Sequence, residues 1–314
     1  MNIIYISHPH NYKREDFPAM VLALGYFDGV HLGHQKVIQT AIQIGKEKGL
    51  AVGAMTFDPH PSVVLNKNVR HMRLLTPLTE KAELMEQLGL DYLFVIRFSP
   101  EFANLTPQQF VDQYLIQLHT IHVVAGFDYT YGQLGKGTME TLPFHARGLL
   151  DQTTVSKLEL SQEKISSTRI RQELLNGHTL EVESLLGRLY RVKGQVVNGE
   201  KRGRLLGFPT ANVDVELDYY LPKVGVYCVR MLVKGHWYNG ICNVGYKPTF
   251  HNSKDEIPTV EVHLLDFKDD IYTENVVIEW HGRIRDEKKF KSLEALVAQL
   301  EADKQFAMDY FKTR

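Results

Sequence analysis

Residues 21–34 read VLALGYFDGVHLGH, and this stretch decides the fold of the amino-terminal half. Its first residues are apolar, as in a buried strand, and a helical pattern begins directly after it. His31 and His34 at such a helix start can direct ring N–H groups at one anion, to which the unpaired backbone N–H groups and the helix dipole also point. Gly33 between them lets a planar base or a phosphate approach the backbone closely. The stretch therefore predicts an anion-binding turn between a strand and a helix.

On both sides of this turn, the first half of the chain alternates short apolar runs with helical patterns. Strands are predicted over Val21–Gly25, Leu50–Thr56, Tyr92–Ile96, Ile121–Ala125 and Thr153–Leu158, and helices over Thr79–Leu88, over Pro107–Leu118 and from Ser167 or Thr168 to Asn176. Such alternation is typical of parallel strands joined by crossover helices, which predicts an open, doubly wound, Rossmann-like α/β sheet. Ligands of these sheets bind beyond the carboxyl ends of the strands.

After about residue 186, strand-like runs follow one another without helices between them. Strands are predicted over Tyr190–Val197, Gly225–Val233, Trp237–Val244, Thr259–Leu265 and Asn275–Trp280. Consecutive antiparallel strands must hide their edges, and a small closed antiparallel β-barrel does so. A last amphipathic pattern predicts a C-terminal helix, capped by Ser292, that lies against the barrel. We therefore predict two domains, residues 1–184 and 185–314.

The composition narrows the class of protein. Among 314 residues, 36 Lys and Arg stand against 37 Asp and Glu, so the net charge of −1 offers no general field for nucleic acid or anionic lipid. Two cysteines without a metal-ligand spacing argue against a disulfide framework and a zinc site. The amino terminus lacks a basic segment followed by an apolar run. We expect a cytoplasmic protein without a membrane anchor or a nucleic-acid partner, and its oligomeric state stays open.

Residues 165–171 read ISSTRIR and open a predicted helix after a strand. The hydroxyls of Ser166, Ser167 and Thr168 and the local backbone N–H groups can hold a polyphosphate, and the Arg171 guanidinium can form a forked contact with one phosphate. A simple helix cap beside solvated arginines is the alternative, and these residues alone leave it open.

Two carboxylates also follow strands in the first half. Asp28 lies in a turn before a glycine and is predicted to be structural rather than a ligand of metal or ribose. Asp58 and His60 belong to TFDPHP, residues 56–61, where the prolines impose an extended loop and His60 can close over a ligand.

Residues 199–212, GEKRGRLLGFPTAN, form a glycine-punctuated basic segment that enters a Pro-Thr turn. Its glycines supply open backbone N–H groups for phosphates, Lys201 and Arg204 offset charge, and the Thr210 hydroxyl can ligate Mg²⁺. A basic hairpin is the alternative. Glu261 alternates with apolar residues on a later predicted strand, where an outward glutamate is usually just solvated.

The first half is similar to the adenylyltransferase module of bacterial bifunctional FAD synthetases, within the nucleotidylyltransferase superfamily, over about residues 15–182. The likeness rests on GYFDGVHLGHQ, TFDPHP, GFDYTYG and ISSTRIR. It implies transfer of AMP from ATP to FMN, with His31 and His34 catalytic. It implies ATP contacts at Gly25, Phe27, His31, Gly33, His34, Ser166, Ser167, Thr168 and Arg171. It implies flavin contacts at Asp58, His60 and Asp128.

The second half resembles the riboflavin kinase family over about residues 185–312, through GFPTAN, NVGYKPTF and VEVHLLDF. The resemblance implies a six-stranded flavin-binding barrel with a terminal helix. It implies nucleotide phosphate binding at Gly203, Gly207, Pro209, Thr210 and Asn212. It further implies that Thr210 and Asn212 hold Mg²⁺ and that Glu261 is the general base on the ribityl 5′-hydroxyl.

Together the resemblances imply an enzyme that phosphorylates riboflavin to FMN with ATP and adenylylates FMN to FAD with a second ATP, using Mg²⁺. One alternative is a nucleotidylyltransferase for another small phosphate compound, such as phosphopantetheine, with a degenerate barrel. The GFPTAN segment and Glu261 argue against it. Another is an ATP-sensing or nucleic-acid-binding module, which the near-zero net charge and the lack of a basic stripe interleaved with aromatic residues disfavour.

Overall fold

The computed structural model describes residues 1–66, 68–69, 72–199, 203, 206–216, 218–246 and 258–314. The chain forms two compact units, Met1–Ser167 and Thr168–Arg314, each with most of its contacts inside itself. The predicted boundary between the two activities, between residues 184 and 185, is not the same as this boundary between compact units, and it stays a prediction.

The first unit contains a six-stranded parallel sheet and its crossover helices. Its strands are β1 (Asn2–Ile6), β2 (Met20–Leu24), β3 (Ala51–Asp58), β4 (Tyr92–Arg97), β5 (Thr120–Gly126), β6 (Thr130–Tyr131), β7 (Gly137–Thr138), β8 (Asp151–Val155), β9 (Glu159–Leu160) and β10 (Glu163–Lys164). Its helices are α1 (Leu32–Lys48), α2 (Pro61–Leu65), α3 (Leu78–Leu88), α4 (Pro100–Ala103), α5 (Pro107–Phe110) and α6 (Leu142–Ala146), with shorter 3₁₀ turns at Arg14–Asp16 and Gln133–Gly135.

The sheet order is β1-β4-β3-β2-β5-β8, and every neighbouring pair is parallel. Strand β2 lies in the interior of the sheet and all five of its residues are buried, because apolar clusters cover both faces. The predicted doubly wound sheet is therefore confirmed. Strand β1 was not predicted, although residues 3–6 form a short apolar run; it is an edge of the sheet on which Ile3 and Tyr5 are exposed.

The helix predicted over Pro107–Leu118 departs from regular geometry. Helix α5 passes directly into a π-helical segment, Val111–Ile116, and the N–H of Gln117 donates to the carbonyl of Asp112, five residues earlier, at 2.9 Å. Such wide turns insert one extra residue into a helix. Periodicity along the sequence does not reveal them, because the apolar spacing at both ends remains helical.

The second unit is a closed antiparallel barrel with helices packed on it. Its helices are α7 (Ser167–Asn176), which begins at the last residue of the first unit, α8 (Thr179–Leu186) and α9 (Leu293–Thr313). Its strands are β11 (Tyr190–Val197), β12 (Ala211–Val215), β13 (Gly225–Val233), β14 (His236–Gly245), β15 (Thr259–Leu264) and β16 (Asn275–Arg285). They follow the order β11-β12-β15-β14-β13-β16, and pairing of β16 with β11 closes the ring.

The barrel and its C-terminal helix confirm the predicted fold of the second half. Ser292 caps α9 by accepting the N–H of Ala295 at its hydroxyl, 3.2 Å away. Both cysteines, Cys228 and Cys242, are buried and free, as expected for small core residues. In the described residues, no helix is long and apolar enough to cross a membrane.

An ion pair fixes α9 to β16. The Arg285 guanidinium donates from Nε to Asp303 Oδ1 at 2.9 Å and from Nη2 to Oδ2 at 2.7 Å. Asp303 is buried and also accepts a hydrogen bond from the Gln299 amide at 2.9 Å. Such a fork with an additional donor satisfies the carboxylate fully, which a buried charge requires.

Replacing Asp303 with alanine should therefore destabilise the second unit by about 3 kcal/mol, because the Arg285 charge would lose its partner in a mostly buried position. Asp309→Ala on the same helix is the matched control, since Asp309 is exposed, and we expect it to leave the stability close to that of the wild type. Chemical denaturation of both variants measures the difference. Equal stability of the two variants would contradict this role of the ion pair.

Candidate active sites

The turn between β2 and α1 is strained. Phe27 and Val30 have positive φ angles, 58° and 40°, in the left-handed region that non-glycine residues rarely adopt. Both side chains are buried, and the Phe27 ring lies directly over Gly25, where an added Cβ would come within 2.8 Å of it. The packing around the turn therefore has to maintain a backbone shape that the residues themselves disfavour.

Asp28 anchors this turn from inside. Its buried carboxylate accepts the backbone N–H groups of Leu75 and Thr76, each at 3.0 Å from Oδ1. Its carbonyl accepts the Ser167 hydroxyl at 2.8 Å. These bonds join three separate parts of the first unit at one residue, as expected of a structural rather than a ligand-binding carboxylate.

His31 caps the helix that it introduces. Its Nδ1 accepts the backbone N–H of His34 at 3.2 Å. Because an amide only donates, Nδ1 carries no proton in this bond, and the proton of the neutral ring is on Nε2. The cap leaves the first N–H groups of the helix, those of Leu32 and Gly33, without acceptors inside the helix. A Cβ on Gly33 would lie 3.1 Å from Cε1 of His31, so this glycine makes room for the capping ring.

The His31 and His34 rings stack with 3.6 Å between their centroids and 16° between their planes. Burial lowers the pKa of His34 well below its ordinary value, and the neighbouring His31, Lys81 and Lys164 lower it further. Nδ1 of His34 is buried and, among the described residues, has no hydrogen-bond partner. The predicted histidines therefore form a close stacked pair in which the His34 ring is neutral and one of its nitrogens can still bind a ligand.

The predicted flavin contacts lie in the first unit. Asp128 forms an ion pair with Lys164 of β10, and the Lys164 ammonium lies 4.8 Å from the centre of the half-exposed Phe127 ring. The sequence did not single out Lys164, although its charge reaches both Asp128 and His34. The sequence feature that could have indicated Lys164 is its position two residues before Ser166, the first hydroxyl of SSTRIR.

Asp58 ends β3, and its carbonyl accepts the N–H of Phe98 at 2.9 Å. His60 caps α2 by accepting the N–H of Ser62 at its Nδ1, 3.0 Å away. Its ring meets the Tyr26 ring edge to face, with 4.3 Å between centroids. His60 thus already has a structural role beside the strained turn, and its contact with flavin stays a prediction.

The SSTRIR residues lie at the start of α7. Ser166 directly precedes the helix, Ser167 is its first residue, and Thr168 and Arg171 follow in its first turns. Ser167 and Asp28 are brought together by the hydrogen bond described above. The phosphate contacts of all four residues stay predictions.

In the second unit, the GFPTAN segment forms a tight loop before β12. The Gly203 carbonyl accepts the N–H groups of Leu206 and Phe208, at 3.0 and 2.9 Å, and Gly207 has a φ of 83° that favours glycine. His263 donates from Nδ1 to the Pro209 carbonyl at 2.8 Å and thereby ties the loop to β15. Lys201 and Arg204 lie outside the described residues.

Glu261 stands in a row of polar side chains across three strands. In the barrel register it lies opposite Asn212 of β12 on one side and opposite Asn243 of β14 on the other. Residues directly opposite on neighbouring strands share a face, with Cβ atoms about 5 Å apart. All three are half-buried, whereas their strand neighbours Val260 and Val262 are buried. The structure thus brings together Glu261 and Asn212, and it adds Asn243, which the sequence could not select without the register.

A cavity of about 360 Å³ opens on the other face of β15. It is lined by the Pro209–Ala211 end of the loop, by Val262 and Leu264, and by residues 267–272 between β15 and β16. Glu261 does not line it. The loop with Thr210 therefore lies between a cavity large enough for a small ligand and the polar row that contains Glu261.

Thr210 and Asn212 fit an oxygen-preferring cation. The loop backbone approaches Asn212 closely, because a Cβ on Gly199 would lie 2.1 Å from its amide nitrogen, and a Cβ on Gly203 would be in ordinary contact with the Thr210 hydroxyl at 3.7 Å. A hydroxyl and an amide oxygen are hard donors of the kind that Mg²⁺ accepts alongside phosphate oxygens. The described residues contain no group of three or more His, Cys, Asp or Glu that could hold a metal ion.

Comparisons with known proteins identify a family for each half of the chain. The FAD synthetase family model matches residues 13–169, and the riboflavin kinase family model matches residues 186–311. A bifunctional riboflavin kinase/FMN adenylyltransferase from Bacillus subtilis is 51% identical over 99% of this chain and 98% of its own length. The enzyme of that name from Escherichia coli is 34% identical over 96% of each chain.

A crystal structure from Streptococcus pneumoniae superposes with a TM-score of 0.87 at 36% identity, covering 97% of this chain and 99% of that one. That structure is described as a macrolide-efflux protein. Both family models and the full-length relatives agree on one assignment. The chain belongs to the family of bifunctional riboflavin kinase/FMN adenylyltransferases.

Proposed function

We propose that the chain phosphorylates riboflavin to FMN in the barrel and adenylylates FMN to FAD at the histidine pair, with one ATP for each step. The row of Asn212, Glu261 and Asn243 carries this proposal, because it places a carboxylate between two amides beside the GFPTAN loop. The first step needs a base and has a carboxylate at its site, whereas the second step needs no base and has two histidines at its site.

Phosphorylation of an alcohol needs a base. The ribityl 5′-hydroxyl has to lose its proton to attack the γ-phosphorus, and Glu261 takes that proton. Asn212 and Asn243 on either side orient the carboxylate and the alcohol by hydrogen bonds. Gly203, Gly207 and Pro209 shape the loop that receives the nucleotide phosphates.

Adenylylation needs no base of this kind. The nucleophile is an FMN phosphate oxygen that is already ionised at neutral pH, so positioning and stabilisation of charge suffice. His31, through its Nε2 proton, and the neutral His34 donate hydrogen bonds to the ATP phosphates, together with the first N–H groups of α1 and its dipole. The nucleotide lies against Gly25, Phe27 and Gly33. Its phosphates are bound by Ser166, Ser167, Thr168 and Arg171. FMN is contacted by Asp58, His60 and Asp128.

Mg²⁺ is the cofactor that we assign to both steps. In the barrel, Thr210 and Asn212 would hold it. When bound, it neutralises charge on the phosphate oxygens during transfer. We assign adenylylation to residues 1–184 and phosphorylation to residues 185–314, and we place the protein in the cytoplasm, where two buried free thiols are usual.

Glu261→Gln should lower riboflavin phosphorylation by about 10²–10⁴-fold and leave the conversion of added FMN to FAD intact, because only the first step needs a base. The measurement is separation of the flavins after incubation with riboflavin or FMN, ATP and Mg²⁺. Asp214→Asn on the neighbouring strand β12 is the control, since Asp214 is exposed and lies outside the polar row. If the wild-type chain converts neither riboflavin nor FMN, the proposed function is wrong.

His34→Ala should make the chain accumulate FMN from riboflavin, because it removes a phosphate ligand from the second site only. We expect FAD formation to fall by about 10²-fold while phosphorylation continues. The exposed His236→Ala serves as the control in the same flavin assay. Equal loss of both steps in His34→Ala would contradict the assignment of this histidine to one step.

His34 should stay neutral throughout the physiological range. Its folded-state pKa lies well below that of an ordinary histidine because burial and nearby positive charge disfavour the imidazolium. Protonation of His34 should therefore not lower the rate of adenylylation until the pH falls far below 6.5. Two-dimensional ¹H–¹⁵N spectra of the ring nitrogens measure the titration directly. A midpoint at or above 6.5 would show that His34 binds phosphate as a cation instead.

A further inference from the structure

Lys81 is a buried lysine to which neither the sequence motifs nor the proposed mechanism gives a role. It lies on α3, and only 1% of its surface is exposed. Its ammonium donates to the Tyr26 carbonyl at 2.9 Å and to the Thr56 hydroxyl at 3.2 Å. The Thr56 hydroxyl itself donates to the same carbonyl at 2.8 Å. The ammonium also lies 4.2 Å from the centre of the Tyr26 ring.

These contacts place a positive charge at the carboxyl edge of the sheet. Tyr26 follows β2 and Thr56 lies near the end of β3, and ligands of parallel sheets bind at this edge. Taking an ammonium out of water costs several kcal/mol, which its hydrogen bonds to the Tyr26 carbonyl and the Thr56 hydroxyl have to offset. A buried leucine or methionine would fill the same space without that cost.

The contact with Tyr26 acts on the strained turn. The carbonyl that Lys81 and Thr56 hold belongs to the peptide bond that leads into Phe27, the first of the two residues with positive φ. Asp28 is fixed at the next position by its own hydrogen bonds to Leu75 and Thr76. Without the clamp on the carbonyl, the peptide can rotate towards an ordinary φ, which would shift the helix start that His31 caps.

We propose that Lys81 is a positioning residue for adenylylation: through the Tyr26 carbonyl it holds the strained turn that places His31 and His34, and its charge stands under the phosphates that they bind. This inference rests on the proposed function of the histidine pair. It adds a residue about fifty positions away in the sequence, on a different helix, to the machinery of that step.

The electrostatics of the site agree with this role. Burial lowers the pKa of Lys81 to about 8, against the opposing effect of the Asp28 and Asp58 carboxylates. The charge of Lys81 is among the causes that lower the pKa of His34, which keeps that ring neutral. Below about pH 8 the ammonium is therefore charged, and above it the charge under the phosphates is lost while His34 does not change its protonation.

The test compares Lys81→Met with Lys81→Arg in the full-length chain. We expect Lys81→Met to lower kcat/KM for FMN adenylylation by about 100-fold, as small displacements of a reacting pair do, and to leave riboflavin phosphorylation unchanged. The kcat/KM of Lys81→Arg should be about tenfold higher than that of Lys81→Met. Lys36→Met on the exposed side of α1 is the matched control and should keep wild-type values.

The pH dependence separates positioning from a merely structural role. In the wild type, kcat/KM for adenylylation should fall above about pH 8, as Lys81 loses its proton. In Lys81→Arg this fall should move to higher pH, because a guanidinium stays protonated. An unchanged alkaline fall in Lys81→Arg overturns the proposal, as does wild-type kcat/KM in Lys81→Met.

Thr56→Val is the second variant, since Lys81→Met can fail to fold. It removes the hydroxyl that shares the Tyr26 carbonyl and keeps the ammonium, so adenylylation should fall by about tenfold with phosphorylation unchanged. Wild-type adenylylation in Thr56→Val overturns the proposal. The wild type distinguishes the two inferences: if it makes no FAD from FMN, the proposed function has failed, and if it does, only the role of Lys81 is at issue.

Discussion

The left-handed conformation of Phe27 and Val30 is the constraint on which the first unit depends. Each such residue costs of the order of 1 kcal/mol or more, and it persists only where surrounding contacts hold it. Here the contacts come from both ends of the turn: Lys81 and Thr56 fix the carbonyl before Phe27, and Asp28 binds the chain at Leu75 and Thr76. The result is a helix start whose cap is a histidine ring.

The choice of cap has a chemical consequence. Serine, threonine or aspartate would also cap a helix, but the hydroxyls reach less far than an imidazole ring, and the aspartate charge would repel a phosphate. His31 accepts the helix N–H at Nδ1 and carries a proton on Nε2, so one ring serves both the helix and a ligand. Stacking on His34 at 3.6 Å then disfavours a second positive charge in the pair. The same packing that builds the helix therefore helps to keep the His34 ring neutral.

The sequence predicted those parts of the fold in which one face of an element is uniformly apolar. Strands β11 and β13 have their predicted bounds, because alternation and bounding turns are clear there. Strands β1 and β12 were not predicted: the first is an exposed edge, and the second is a short strand directly after the glycine-rich loop. The spacing and position of His31 and His34 singled them out, whereas Glu261 received its predicted role only from the resemblance to riboflavin kinases. Lys81 and Asn243 depend on contacts between distant segments, and a lysine in an amphipathic helix pattern is ordinarily solvated.

The net charge of −1 explains why positive charge has to be concentrated at the phosphate-binding sites. A chain without a general field cannot gather ATP from a distance, so each positive charge has to act where phosphate binds. A surface lysine is screened by salt within about 8–10 Å, whereas a buried ammonium is screened much less. One buried lysine held by a carbonyl and a hydroxyl can therefore replace several surface charges, and it does so at a fixed position. The cost of burying it is offset by the same hydrogen bonds that hold the strained turn, so that charge, backbone shape and histidine position form a single interdependent arrangement.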